Sequence, residues 1–573
     1  MGLVICLALL WLCLLAGPAA AADPIMPLEQ VQRGMQCEGR SVFRGTAIET
    51  FDVEILDVVQ QSNTGSTPSI LFRASGPAVG QGGLGFGFSG SPIYCPDGDG
   101  VMRNAGAVFA GVEDYGNDVA LATPIEAILS MPVTAPAETR PATAAERRAT
   151  PWTGPLTVSG VGPRTRRALW SAAADQGLLL INAPATSAQV GGGADLRPGA
   201  SVAAGLSTGA VGLNAIGTVA YRDDAGRVWA FGHPLDSAGQ RSLVMQGAFV
   251  HTVIENPNPP AFSLGTYKLA SASESVGTVD FDGNFAISGT LGALPATIPV
   301  VVRANGPAGD LPKSISFVAD ESPLNHPSGL AALSLVTSIA VSDGVLGALG
   351  SSGARSYGRM CVRADVEERE EPMRFCNRYV GDGQFVGGIE IAMGGDASTA
   401  ATFLERFDHS QIHVERVRAT LDVHEGMRFA RLRAATAPRR VRPGERIPVE
   451  IEYQLPREEM QTSTFRVRVP RSVRPGRRTL TLRGTGADPG NESLDALFSV
   501  GLSPDDAVFF FGNPPPAPST VEGLARAISG IHRFDGISAQ FGRPRQRAAR
   551  RVFRHDELRI GGSKRIELRV LRR

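Results

Sequence analysis

Net charge is what this chain lacks: 56 lysines and arginines are balanced by 56 aspartates and glutamates. The balance removes any global electrostatic reason to bind nucleic acid or an anionic surface. Aromatic residues are scarce, at 6%. Past the N-terminal segment no apolar run of about 18 or more residues stands out, so no spanning helix is expected in the mature chain. The cysteines are few and their spacing fits no zinc site. Nothing in the sequence implies a metal or an organic cofactor.

Glycine (67) and proline (40) are plentiful instead. With few aromatics, that mixture favours short strands and tight turns over long helices, an all-β chain. A length of 573 residues, 43% of them hydrophobic, leaves room for roughly two to four domains of about 150 residues. Residues 3–16 are apolar and uncharged, and Ala20, Ala21 and Ala22 follow. This is the pattern of an export signal over residues 1–22, though without a leading Lys or Arg. Export to the periplasm or the cell exterior is expected. Cys6 and Cys13 lie in that segment, leaving Cys37, Cys95, Cys361 and Cys376, an even number for an oxidising compartment. Cys361 and Cys376 are near enough to staple a hairpin, and Cys37 would then pair with Cys95. Four free thiols is the plainer alternative.

Residues 24–132 alternate as strands do: Phe51, Val53 and Ile55 point one way, Asp52 and Glu54 the other. Tyr94-Cys95, a turn at 96–100 and residues 106–112 read as a hairpin, and Thr123-Pro124-Ile125-Glu126 opens a short helix. Residues 133–154, rich in Ala, Pro, Thr, Glu and Arg, read as a surface linker. Short strands resume over 155–300, where the turn Asp223-Asp224-Ala225-Gly226 joins 217–221 to 227–231. Residues 301–405 are mixed. Over 406–500, alternating stretches between Pro-Gly turns suggest an immunoglobulin-type β-sandwich, able to meet an envelope partner. Within 501–573, Ser519 and Glu522 make a capping box ahead of one helix. The arginine-rich tail from Arg543 to Arg573 reads as a solvated basic face, with binding to an anionic polymer or a membrane as the sharper alternative.

The most informative stretch is Gly85-Phe86-Gly87-Phe88-Ser89-Gly90-Ser91-Pro92. A serine nucleophile needs its hydroxyl on a tight turn, with backbone N–H groups nearby to hold the oxyanion. Small neighbours permit both. Ser89 is the candidate nucleophile, and Gly87 and Ser89 are the candidate N–H donors, at the spacing of the chymotrypsin template. A plain glycine–serine turn is the bland reading. The literal G-x-G-x-x-G of Gly80, Gly82 and Gly85 is no dinucleotide fingerprint, because Ser91-Pro92-Ile93-Tyr94 reads as a strand where a helix should open. If Ser89 needs an imidazole, the histidines ahead of residue 350 are His233, His251 and His326. His233 sits at the end of a hairpin strand, in Phe231-Gly232-His233-Pro234.

Five segments in this order resemble the SpoIVB-type serine peptidases, in their bacterial secreted members. They are Met26-Pro27-Leu28 with Gly34-Met35, Phe51-Asp52-Val53-Glu54-Ile55-Leu56, Ser89-Gly90-Ser91-Pro92, Thr123-Pro124-Ile125-Glu126 and Phe231-Gly232-His233-Pro234. The resemblance spans roughly residues 24–300. It implies a trypsin-like double β-barrel, with Ser89 as nucleophile and His233 as general base. The serine-bearing barrel (24–132) would precede the histidine-bearing one (155–300), a permuted order that triad geometry tolerates. The family's sporulation peptidase uses an Asp upstream of its serine, near a Pro; this chain has Ser75-Gly76-Pro77 there. The orienting carboxylate is therefore sought in residues 277–283, where Asp280 and Asp282 would share one strand face. Asp282 also matches an Asp of related secreted members. Phe88 stands where the family usually carries Met, so packing has to order the serine loop.

The expected activity is that of an exported serine endopeptidase, working through an acyl-enzyme on a protein or peptide substrate. The rival is a catalytically inactive envelope scaffold or binding protein with the same fold. Self-cleavage within 133–150 is a third expectation.

Overall fold

The computed structural model describes residues 23–572 except 61–66, 113–117, 137, 144–145, 147–149, 152–153, 176–178, 185–194, 260–263, 325–330, 351–354, 382–387, 486–517, 542–550 and 556. The expected export signal, with Cys6 and Cys13, lies outside the described residues.

Alternating segments and segments buried on both faces together build the first unit. Its strands are β1 (Gln36–Val42), β2 (Ile48–Gln60), β3 (Ser69–Ser75), β4 (Pro92–Pro96), β5 (Met102–Gly111) and β6 (Val119–Pro124). They pair in the order β1-β4-β5-β6-β3-β2, and β2 returns to β1, closing a six-stranded barrel. Phe51, Val53 and Ile55 turn inward onto Phe72, Phe88 and Ile93, while Asp52 stays exposed. Strand β6 runs into a one-turn helix, α1 (Ile125–Ile128). Cys37 and Cys95 are bridged and tie β1 to β4. The described parts of 133–154, read as a surface linker, pair with the first barrel. Arg140–Pro141 pairs with β2 and Thr150–Pro151 with β5. Arg140 also clamps Asp57 and the buried Glu146, which its composition alone could not reveal.

The second unit begins with β7 (Leu156–Ser159), α2 (Pro163–Asp175) and β8 (Leu180–Asn182). Then follow β9 (Ser201–Gly209), β10 (Gly212–Arg222), β11 (Arg227–Ala230), β12 (Gly239–Ile254), β13 (Tyr267–Asp282) and β14 (Ile287–Leu291). Pairing runs β9-β10-β11-β14-β13-β12 and back to β9, a second six-strand circuit. The chain is all-β with a double-barrel-like body.

Beyond residue 300 the expected boundaries need correction. Strands β15 (Thr297–Gly306), β16 (Ser314–Ala319), β17 (Ser356–Val366), β18 (Arg369–Gly381) and β19 (Val414–Glu425) continue the second unit's sheet in the order β9-β16-β15-β19-β17-β18. Strand β19, expected in the sandwich, is held between β15 and β17. Its apolar set Val417, Ala419, Leu421 and Val423 belongs to the central core. Cys361 and Cys376 are bridged cross-strand partners on β17 and β18. Helices α3 (Ala332–Leu349) and α4 (Ile389–Glu405) pack on this sheet and on each other. With mean hydropathy 1.7 over 18 residues, α3 has the length and apolarity of a membrane span, contrary to the expectation that no such run follows the N-terminal segment; here 78% of it is buried in protein.

The sandwich is formed by β20 (Phe429–Thr436), β21 (Arg446–Gln454), β22 (Met460–Arg468) and β23 (Gly476–Gly484) and, after α5 (Val521–Ser529), by β24 (Gly536–Phe541), β25 (Arg551–Arg554), β26 (Arg559–Gly561) and β27 (Ser563–Val570). One sheet runs β22-β21-β20-β26; the other places residues 440–441 beside β27-β23-β24-β25. Val449, Ile451, Leu480, Leu482, Ile537 and Leu568 meet between them. The supposed basic tail thus supplies three strands of this domain, β25, β26 and β27: Leu568 and Val570 face in while Arg565, Glu567 and Arg569 face out. Helix α5 is capped by Thr520, which accepts from the Gly523 N–H, rather than by Ser519.

Candidate active site

The serine loop crosses from β3 to β4 and is stitched to the second unit on the way. The Phe86 N–H donates to the Thr266 carbonyl (2.9 Å), and the Lys268 N–H donates to the Phe86 carbonyl (3.0 Å). A Cβ on Gly85 would lie 1.9 Å from the Thr266 oxygen, so the approach requires glycine. Two tight turns follow: Phe88 N–H donates to Gly85 O and Ser91 N–H to Phe88 O. Gly90 lies between them at φ +90°, and a Cβ there would fall 2.0 Å from the Thr218 carbonyl oxygen and 2.5 Å from the Phe231 nitrogen.

Thr218 on β10 joins the two halves of the expected dyad. Its N–H donates to the Ser89 carbonyl (2.8 Å), and its own carbonyl accepts the Phe231 N–H (3.2 Å). The serine loop and the Phe231-Gly232-His233 turn therefore meet at the barrel seam. Phe231 sits at φ +72° and Gly232 at φ +68°, a left-handed pair that is costly at a bulky residue. The first barrel also holds this turn, because Thr123 Oγ1 donates to the Gly232 carbonyl (2.6 Å). Ser89 is 2% exposed and His233 4%. Ser91 has another role: its hydroxyl bonds the Ser41 hydroxyl (2.8 Å) inside the protein. His251 is engaged with Ser271 (2.8 Å), and His326 lies outside the described residues.

The expected carboxylates do not occupy the third position of a triad. His233 Nδ1 lies 2.7 Å from the Pro234 carbonyl oxygen. Asp282, buried, accepts the backbone N–H groups of Leu235 (2.7 Å), Asp236 (2.8 Å) and Ala238 (3.2 Å). It braces the loop after the histidine. Burial raises its pKa, and the neighbouring Asp236 adds to the effect, against the lowering by those N–H donors. The loop is fastened further by buried Arg241, which binds Asp236 and makes a two-point contact with Glu321 (2.8 and 3.0 Å). Asp280 is on the strand surface, bonded to Arg227 (3.0 Å) and Thr290 (3.1 Å). A register shift between Val279 and Phe281 interrupts the strand, so the two carboxylates do not share a face as regular alternation predicts.

One residue of the site was missed in the sequence. Lys268 is fully buried beneath the serine loop. Its Nζ lies 2.9 Å from Ser41 Oγ, 3.0 Å from Thr218 Oγ1 and 3.3 Å from Ser201 Oγ, and 4.5 Å from the Phe88 ring centroid. Thr218 Oγ1 in turn donates to the Gly87 carbonyl (2.9 Å). Burial lowers the Lys268 pKa well below the usual lysine value. The serine loop is thus ordered by the packing of Phe88, as expected, and also by an amine under its ring. The only local signal was a lysine inside an otherwise apolar strand segment, Tyr267-Lys268-Leu269-Ala270.

A cleft of about 730 Å³, lined by neither Ser89 nor His233, opens between α1 with the residues after it and the β13–β14 turn. Phe281, Phe285 and Met131 line it and are part-exposed, and Asp282 and Ser237 connect it to the loop that follows His233. Compared with family models, curated proteins and solved structures, the chain matches none.

Proposed function

We propose that the chain is an exported serine endopeptidase of the SpoIVB type, cleaving peptide bonds through an acyl-enzyme. The supporting observation is the hydrogen-bonded path Ser89–Thr218–Phe231, which docks the serine loop of one barrel against the histidine turn of the other. In this reading His233 Nδ1–H donates to the Pro234 carbonyl, which leaves Nε2 as the acceptor face. Ser89 attacks the scissile carbonyl while His233 takes its proton and returns it to the leaving amine. Water then releases the acyl group by the reverse proton path. Gly87 and Ser89 N–H groups stabilise the oxyanion, on a loop held from below by Phe88 and Lys268. The cleft lined by Phe281 and Phe285 receives an apolar side chain of the substrate. The two disulfides suit a chain folded in an oxidising compartment, periplasmic or extracellular.

The near-complete burial of Ser89 and His233 favours a second reading, an inactive envelope scaffold that retains the fold. A fluorophosphonate probe separates the two. The peptidase reading expects labelling of the wild type that disappears in Ser89→Ala and falls steeply in His233→Ala. Folded wild type that resists the probe and cleaves no peptide library would leave the scaffold.

A further inference from the structure

The zero net charge conceals a lopsided distribution. Residues 428–484 hold fifteen arginines, no lysine, no aspartate and five glutamates. Topology concentrates much of this charge at one end of the sandwich. There Arg440, Arg569 and Arg477 are direct register partners across three adjacent strands of one sheet. On the other sheet Arg446 lies directly opposite Arg468, with Arg466 two residues further along β22. All six are exposed. The ends coincide, because Gly444 N–H donates to Val469 O, and Leu571 N–H to Val441 O. Within the sandwich, the ion pairs among the described residues join Asp535 to Arg533 and Arg554; none involves these six.

Like charges directly opposite one another in a sheet are destabilising. The rows therefore cost the free protein stability that an anionic partner would return. Guanidinium groups bind phosphate-like oxyanions in two-point fashion. The two rows lie on the outer faces of sheets packed about 10 Å apart and point in opposite directions. A flat membrane cannot meet both. This end also exposes no large apolar side chain among the described residues, since Met460 lies at the far end of β22, so nothing is poised to insert into lipid. A flexible chain can wrap the end and reach both rows. We propose that this end of the sandwich is a docking surface for a flexible linear polyanion, independent of whether Ser89 is a nucleophile.

The test uses the full chain and long-chain inorganic polyphosphate, with binding followed by anisotropy over a salt series. Arg440→Gln/Arg477→Gln/Arg569→Gln and Arg446→Gln/Arg466→Gln/Arg468→Gln are compared with a control triple of exposed arginines elsewhere, Arg166→Gln/Arg167→Gln/Arg359→Gln. Each row variant is expected to bind at least tenfold more weakly. Each should also lower the slope of log K against log salt by about 2, three contacts at ~0.7 each. The control should match the wild type. Arg→Lys versions of each row, which keep the charge, are expected to fall between wild type and the Gln variants, and they serve if a Gln triple unfolds. The proposal is overturned by absence of wild-type binding, by equal loss in the control, or by loss confined to one row. Tighter binding to phosphatidylglycerol vesicles that both rows support would assign the surface to a membrane instead.

Discussion

Lys268 buries an amine against three hydroxyls and an aromatic ring, and among the described residues no carboxylate pairs with it. Unfolded, it titrates near ~10.4; folded, its pKa lies well below that. Between the two values the unfolded chain holds a proton that the folded chain does not. Stability therefore rises with pH across that window, by about 1.4 kcal/mol per pH unit, and falls as pH drops until the folded amine is protonated as well. Lys268→Met is expected to abolish the rise, measured as urea midpoints over a neutral-to-alkaline series. An unchanged slope would mean the amine is not held neutral. A carboxylate that braces the loop through three N–H groups should, as Asp282→Asn, lower fluorophosphonate reactivity about tenfold and stability by about 1–3 kcal/mol. A true triad partner would lower reactivity nearer ~10⁴-fold. Asp280→Ala should change neither. Ser89 and His233 could be singled out as candidates because each lies in a distinctive short motif. The group at His233 Nδ1 was not, because a main-chain carbonyl has no sequence signature.

In the first unit β2 was legible for the reason that Phe51, Val53 and Ile55 illustrate: one of its faces is buried, so alternation survives in the sequence, whereas β4 and β6 are buried on both faces and carry no such alternation. Legibility failed where burial was two-sided or the partner was remote. Strand β19 alternates as a sandwich strand would, yet it pairs in parallel with β15, more than a hundred residues earlier. Helix α3 has no polar face for periodicity to reveal, since Ser334, Thr337, Ser338 and Ser342 are buried too. Pairing distance in sequence also ranks the two disulfides. They close loops with separations of 58 and 15 residues. In the chain-entropy account, Cys37→Ser/Cys95→Ser should cost about 4 kcal/mol and Cys361→Ser/Cys376→Ser about 3. Denaturant unfolding followed by hydrogen exchange should place the first loss in β1–β6 and the second in β17–β18. Equal, chain-wide losses would contradict that localisation.

At the scale of the molecule, the candidate site exists only while the two barrels are docked. The seam is made of directed bonds to backbone: Asn104 Nδ2 donates to the Ala220 carbonyl (2.9 Å), Thr123 to Gly232, Thr218 to Ser89, and Gly45 exchanges two bonds with Val250. Gly90 is one of the two closest approaches, with a virtual Cβ 2.0 Å from the Thr218 oxygen. Main chain stands on both sides, so no side-chain rotation can relieve an added methyl. Gly90→Ala also forces alanine to φ +90°, where it is strained. The substitution should therefore part the seam rather than perturb one loop. Hydrogen exchange is expected to rise together in 86–91 and in 216–220, which belong to different barrels, while β2–β3 and the part of β13 beyond Lys268 remain protected. Ser89 should lose any probe reactivity in the same variant. A rise confined to 86–91 would show that the serine loop yields alone, and that the docking of one barrel on the other does not depend on this contact.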